Sequence, residues 1–178
     1  MKVASGCLNV TESIIAGAMD DELLQHLIDA KVPTFSMSSG LTLGDFGWGS
    51  PTFNKMGREK ISLIQTFVHW GVEVIISDVD TVWLRDPTEF ALQYPDVDVL
   101  SSSDHLSATS TDGGLENEGG VYSAANIGVM LFRPKAVDLV NEWVDILDRD
   151  AAVWDQNAFN DLIKRGLKHP PPGERIFL

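Results

Sequence analysis

Residues 72–87 read Val-Glu-Val-Ile-Ile-Ser-Asp-Val-Asp-Thr-Val-Trp-Leu-Arg-Asp-Pro. Val72, Val74, Ile75 and Ile76 form a short apolar run rich in β-branched residues, the pattern of a strand covered on both faces. It ends in two aspartates, Asp78 and Asp80. Open α/β sheets collect ligands at the carboxyl ends of such strands. In an extended chain, side chains at i and i+2 point the same way, roughly 6–7 Å apart. Two carboxylates aimed at one spot repel each other by a few kcal/mol, roughly, at close range and moderate dielectric. A divalent cation removes that cost, since hard cations take carboxylate oxygens. The pair therefore points to a metal, and through it to a phosphorylated ligand.

The rest of the chain frames this feature as one α/β domain over residues 1–178. A chain of this length buries about 70% of its unfolded surface and needs no covalent staples. The net charge of −13 argues against nucleic acid, which is bound through basic surface. It also disfavours an anionic substrate unless a metal bridges it. Cys7 is the single cysteine, so no intrachain disulfide forms, and it reads as a small buried hydrophobe. No apolar run approaches the ~20 residues that span a bilayer, and no signal-peptide pattern opens the chain. Asn9-Val-Thr11 is a glycosylation sequon, relevant only in a secretory protein.

Strands and helices alternate along the chain, which predicts a sheet with crossover connections. Ser13–Met19 reads as a strand, with Asp20 capping a helix whose stripe is Leu23, Leu24, Leu27 and Ile28. Pro33–Met37 is a second strand. Ser38–Asn54 is rich in Gly, Ser and Thr and reads as a loop. Lys55–Trp70 reads as a helix stopped by Gly71, with Ile61, Ile64, Phe67 and Val68 on one face. Beyond the aspartates, Asp86-Pro87 opens a short helix to about Tyr94, and Val97–Ser101 is another strand. Residues 102–124 form a polar loop, and Asn126–Arg133 a strand. Pro134 opens a helix to Arg149, and Trp154–Arg165 is the last helix, closed by Gly166. Pro170–Gly173 reads as a stiff extended linker and Ile176–Leu178 as the start of a strand.

Three readings of the aspartate pair compete. Asp is common where a strand meets a turn. A phosphohydrolase of the haloacid dehalogenase type would use Asp78 as nucleophile and Asp80 as acid/base. Thr81 and Val82 fit that pattern, and Ser101–Ser103 resemble its second motif. That family, however, carries its motif on the first strand, and about 70 residues precede it here. No later apolar strand ends in paired acids. The third reading is a nucleotide-sugar site, with the metal held on a diphosphate.

The tail decides among them. Asp78-Val-Asp80 followed by Trp83-Leu-Arg-Asp-Pro87 resembles the nucleotide-diphospho-sugar transferases of the plant and algal arabinosyl- and xylosyltransferase group, glycosyltransferase family 77. Met19–Glu22 after a strand, Lys60, the Asn126-Ile-Gly128 segment and Trp154–Phe159 resemble that family in the same order. The resemblance implies a GT-A fold, a Rossmann-like mixed and mostly parallel sheet flanked by helices. It implies manganese or magnesium held by Asp78 and Asp80, a UDP-sugar donor and a retaining mechanism. It further implies a glycoprotein or polysaccharide acceptor of the cell wall and a place in the Golgi lumen. It also implies a domain incomplete at both ends, with the family's first strand and helix before Met1 and a metal-binding histidine after Leu178. Neither His105 nor His169 sits where that histidine is expected. A truncated, non-catalytic carbohydrate- or partner-binding domain is the alternative.

The remaining candidates each keep two readings. Asn126 and Gly128 are a turn entering a strand, or an amide on a sugar hydroxyl beside a glycine that lets the ligand approach. Asp155 and Gln156 are a first-turn acid and its neighbour, or the catalytic contacts near the reacting carbon. Lys60 is a solvated helix lysine, or it pairs with Asp78 or a phosphate. Asp112, Glu116 and Glu118 read as solvated, with an acceptor-binding role as the alternative. Trp83 is core or pocket wall. Trp48, Trp70, Trp143 and Trp154 read as packing residues, and His26 and His69 as structural.

Overall fold

The aspartate strand, β3 (Val74–Ser77), lies in a three-stranded sheet with β4 (Val99–Ser103) and β5 (Ala125–Phe132). The structure is a computed structural model that describes residues 14–37, 39–41, 47, 49–104 and 124–167. Cys7, the sequon, Trp48, His105, Asp112, Glu116, Glu118, His169 and the two terminal segments beyond Leu167 lie outside them. The strand order is β3-β5-β4, and β5 runs antiparallel to both neighbours. A second sheet pairs β1 (Ala16–Ala18) with β2 (Thr34–Ser36) in parallel.

The α/β class is as expected, and the pairing refines it. Two of the three ladders among the described residues are antiparallel: the three-stranded sheet is wholly antiparallel and the two-stranded one parallel, rather than one mostly parallel sheet. The reason lies between β4 and β5, where the sequence shows no helical period. An antiparallel neighbour needs no crossover helix. Among the described residues β3 is an edge strand, and each of its residues is half-buried. It is not covered on both faces, the arrangement its apolar run predicts.

The helices follow their capping signals. Asp20 Oδ1 accepts from Leu23 N at 2.7 Å and starts α1 (Asp21–Asp29). Its apolar stripe is only half covered, and α1 buries no residue fully. α2 (Pro51–His69) begins ahead of the expected Lys55. Ser50 Oγ accepts from Phe53 N at 3.1 Å, and Pro51 takes the first helical position, where a missing N–H costs nothing. Gly71, at φ +74°, ends it in the left-handed region. α3 (Pro87–Ala91) is capped by Asp86, whose carboxyl is lowered below the ordinary range by the Thr88 hydroxyl and then the Thr88 N–H. A 3-10 turn, Pro134–Ala136, leads into α4 (Val137–Arg149), and α5 (Asp155–Arg165) closes at Gly166, φ +75°.

The core lies between α2, α4 and α5 and one face of the β4–β5 ladder. Trp143 is fully buried, with its ring centroid 4.7 Å from Phe159 and 6.4 Å from Phe132. Burying side chains of this size contributes roughly 1.5–3 kcal/mol each. Trp70 is not core: it is 69% exposed and packs edge-on against Phe67. Two arginines tie the helices down. Arg58 donates to Leu147 O and Asp150 O, satisfying the carboxyl end of α4. Arg133 donates to Ala91 O, Tyr94 O and Val97 O and pairs with Glu73 at 2.9 Å. Among the described residues no helix is long and apolar enough to cross a membrane.

Candidate functional site

β3 ends at Ser77, and the aspartates occupy a turn rather than a continued strand. Thr81 N donates to Asp78 O at 3.2 Å, closing a β-turn over Asp78–Thr81. The extended i, i+2 geometry expected for the pair does not hold, because the ladder to β5 stops here. Asp78 keeps one tie to it, its N–H donating to Gly128 O at 2.7 Å. Asp80 lies exposed at the turn. Asp78 is instead held from below by α2. Lys60 is 15% exposed at its side chain and donates to Asp78 Oδ1 at 2.5 Å and to Ile127 O at 2.7 Å. Asp78 is 48% exposed, so water screens the pair and its worth to stability is about 1 kcal/mol or less.

β5 reaches this turn through an irregularity. Ser101 pairs with Met130, but Ser102 pairs with Asn126, so Ile127, Gly128 and Val129 bulge from the ladder. Bulges re-aim side chains beside sites. The backbone groups the bulge releases are taken up by serines. Ser101 Oγ and Ser102 Oγ donate to Asn126 O at 3.0 and 2.8 Å, and Val129 N donates to Ser102 Oγ at 3.3 Å. Asn126 Oδ1 accepts from Gly128 N at 2.7 Å. A Cβ at Gly128 would fall 2.8 Å from Asn126 Oδ1 and 3.3 Å from Asp78 Oδ2. Glycine keeps a gap open between these two oxygens.

The N-terminus of α5 forms the other wall. Asp155 is 7% exposed, and its Oδ1 accepts from Gln156 N at 2.9 Å. Burial raises its carboxyl above the ordinary aspartate range. The Gln156 N–H and the Lys60 charge pull it partly back, and Asp78 adds to the rise. Gly57 of α2 makes the room: a Cβ there would sit 2.4 Å from Asp155 Oδ2. Gln156 reaches forward, its Oε1 accepting from Ile127 N at 3.3 Å. Asn160 locks α5 to β5, its Oδ1 accepting from Ala125 N at 2.8 Å and its Nδ2 donating to Ala125 O at 2.9 Å.

Lys60, Asp78, Asn126, Gly128, Asp155 and Gln156 thus converge from four elements, with Asp80 in the adjoining turn. Trp83 lies over the turn's base, its Nε1 donating to Ser77 Oγ at 3.2 Å. His69 bonds Asn141 and His26 stands near Glu22, both away from the cluster. Sequence reading passed over Asp104, Gly57, Asn160 and the roles of Ser101 and Ser102. Asp104 follows the three serines of β4 with no local signal to mark it, whereas Gly57 is a glycine inside a helix, which calls for a packing reason.

The donor set suits a hard cation. Asp78 Oδ2 faces the gap that Gly128 leaves, and Asp80 lies exposed two residues further along the same turn. Among the described residues no group of three or more His, Cys, Asp or Glu side chains is placed to hold a metal. One or two carboxylates, completed by phosphate and water oxygens, are a common provision for magnesium-type ions.

The nucleotide-diphospho-sugar transferase family profile matches residues 9–173. The chain belongs to that family. It is 45% identical to the arabinosyltransferase XEG113 of Arabidopsis thaliana over 157 residues, 87% of this chain and 24% of that protein. It is 26% identical to the Arabidopsis beta-arabinofuranosyltransferase RAY1 over 96 residues, 52% of this chain and 18% of that one. The chain therefore spans about a quarter or less of the length of these relatives. No solved structure matches it significantly. Membership of this family sets the phosphohydrolase reading aside.

Proposed function

We propose that this domain is the donor-binding part of a metal-dependent, retaining glycosyltransferase. It moves a pentose, arabinose or xylose, from a UDP-sugar to a glycoprotein or polysaccharide acceptor in the Golgi lumen. The convergence of Lys60, Asp78 and Gly128 at the carboxyl end of β3, with Asp155 and Gln156 behind them, carries the reading. The arabinosyltransferase names of both relatives support a pentose as cargo.

Asp78 and Asp80 would hold manganese or magnesium against the two phosphates of the donor. When bound, the ion stabilises the charge that builds on the departing diphosphate. Lys60 fixes Asp78 and adds a positive charge beside it in a chain whose net charge is −13. The gap at Gly128 lets the donor approach backbone closely. Asn126 and Gln156 offer amides to sugar hydroxyls, and Asp155 stands nearest the reacting carbon. In the transfer, the bond from sugar C1 to the β-phosphate oxygen breaks. The acceptor hydroxyl oxygen bonds C1 on the same face, and its proton passes to the departing phosphate. Attack from the leaving-group side makes positioning and electrostatics the main sources of rate.

Titrating UDP into the protein with and without manganese tests the proposal. Manganese is expected to tighten UDP binding, and Asp78→Asn with Asp80→Asn to abolish the gain. Equal UDP binding in all four conditions would overturn it.

A further inference from the structure

Asp104 follows β4 directly, and its N–H donates to Ala124 O at 3.0 Å, extending the ladder to β5 by one step. Each oxygen of its exposed carboxylate takes a different amide. Oδ1 accepts from Asn126 Nδ2 at 2.7 Å, and Oδ2 accepts from Gln156 Nε2 at 2.9 Å. One side chain thus joins the bulge of β5 to the first turn of α5.

This arrangement decides which way each amide faces. An ionised carboxylate only accepts, so it demands the NH2 end of both. On the far side stand backbone donors: Gly128 N reaches Asn126 Oδ1 at 2.7 Å, and Ile127 N reaches Gln156 Oε1 at 3.3 Å. Those N–H groups demand the oxygen ends. Flipping either amide would set donor against donor and acceptor against acceptor. Both amides are therefore held in one sense, and each NH2 keeps a second hydrogen that Asp104 does not use. Two N–H donors at fixed spacing are suited to the lone pairs of neighbouring hydroxyls on one sugar.

We propose that Asp104 is a positioning residue that sets Asn126 and Gln156 to present these two N–H donors to the sugar half of the donor. The inference rests on the transferase reading above, in which those amides face the sugar. It assigns Asp104 no contact with phosphate or metal.

Asp104→Ala, Asp104→Asn and Asp104→Glu test it in the full chain, and the exposure of Asp104 lets these variants fold. Affinity is read by calorimetry with manganese, for UDP and for UDP-arabinofuranose. UDP affinity is expected to stay within about twofold of wild type. Affinity for the UDP-sugar should fall roughly tenfold in the Ala variant, since groups on two elements lose a charged partner. The Asn variant satisfies one amide and should fall between, and Glu should restore part of the loss. In nitrogen-resolved NMR the side-chain NH2 signals of Asn126 and Gln156 should both shift in the Ala variant, while the Ala125 amide, clamped by Asn160, stays put. Unchanged NH2 signals, or an Ala variant that binds the UDP-sugar as wild type does, overturns the proposal. Wild-type protein that binds neither UDP nor the UDP-sugar counts against the transferase reading instead, and the NMR signals then still decide whether Asp104 orients the amides.

Discussion

Burial holds the Asp155 carboxyl above the ordinary aspartate range, against the pull of the Gln156 N–H and Lys60. Between the unfolded value, about 3.9, and the raised native one, the folded protein keeps a proton that the unfolded chain has lost. Stability therefore falls as pH rises through that window and stays lowered above it. Asp155→Asn keeps the oxygen that Gln156 N donates to and removes the charge. Its melting temperature relative to wild type is expected to climb as pH rises from the ordinary aspartate range, then level off. A difference that does not change with pH would show that Asp155 carries no desolvation penalty. Gly57 bears on the same carboxylate. Alanine at a helix interior improves propensity by up to about 1 kcal/mol over glycine. Here the new Cβ would meet the whole Asp155 carboxyl group, 2.4 Å from Oδ2 and 2.8 Å from Cγ, so this buried side chain or α2 must shift. Gly57→Ala is expected to lower stability by about 1–3 kcal/mol, the usual cost of overpacking a buried site. Transfer should drop by roughly 10²-fold, the scale of an ångström-sized misplacement at a reacting centre. Transfer at the wild-type rate, measured beside the denaturation midpoint, would remove Asp155 from the reaction.

At the scale of elements, the stability of the site is the stability of the β5–α5 joint. Asn160 is buried and spans it with two bonds to Ala125. Asn160→Ala strands a buried N–H and a buried carbonyl, at about 1–3 kcal/mol each. Ser50→Ala, by contrast, removes a helix cap at the protein surface, for about 1 kcal/mol. Urea denaturation should rank the two in that order, with midpoints shifted and m-values unchanged. A smaller loss for Asn160 would mean that water reaches the joint. The elements show what a sequence displays and what it conceals. Periodicity and caps mark α1, α4 and α5 nearly to the residue, because local signals set them. The start of α2 was hidden by the Gly- and Ser-rich run before it, although Ser50-Pro51 is itself a cap signal. The antiparallel seat of β5 and its bulge were invisible, since they depend on pairing across about 50 residues of chain to β3 and about 20–30 to β4. For the same reason Asp78, Lys60 and Gly128 were readable as candidates, whereas Asp104 was not. Its partners are fixed by the bulge, and no local pattern records a bulge.

For the molecule as a whole, the charge of −13 sets the sign of every encounter with an anion. UDP approaching alone meets a repelling field, relieved beside Asp78 by Lys60. In the proposed reading, a divalent ion at Asp78 and Asp80 would reverse that sign where the diphosphate would sit. Metal and nucleotide should therefore stabilise the fold together much more than either does alone. A ligand present at a hundred times its dissociation constant adds about 2.7 kcal/mol. In a chain of this size that raises the melting temperature by roughly 5–10 °C. Thermal unfolding is expected to show this rise with UDP and manganese together, only small shifts with either alone, and a return to baseline on adding a chelator. The Asp78→Asn/Asp80→Asn variant should keep the ligand-free melting temperature and lose the joint rise, because its turn and the Lys60 contact to Ile127 O survive. If UDP alone gives the full rise, the anion is held by the polypeptide and not through a metal. The two aspartates would then be a strand-to-turn boundary and nothing more.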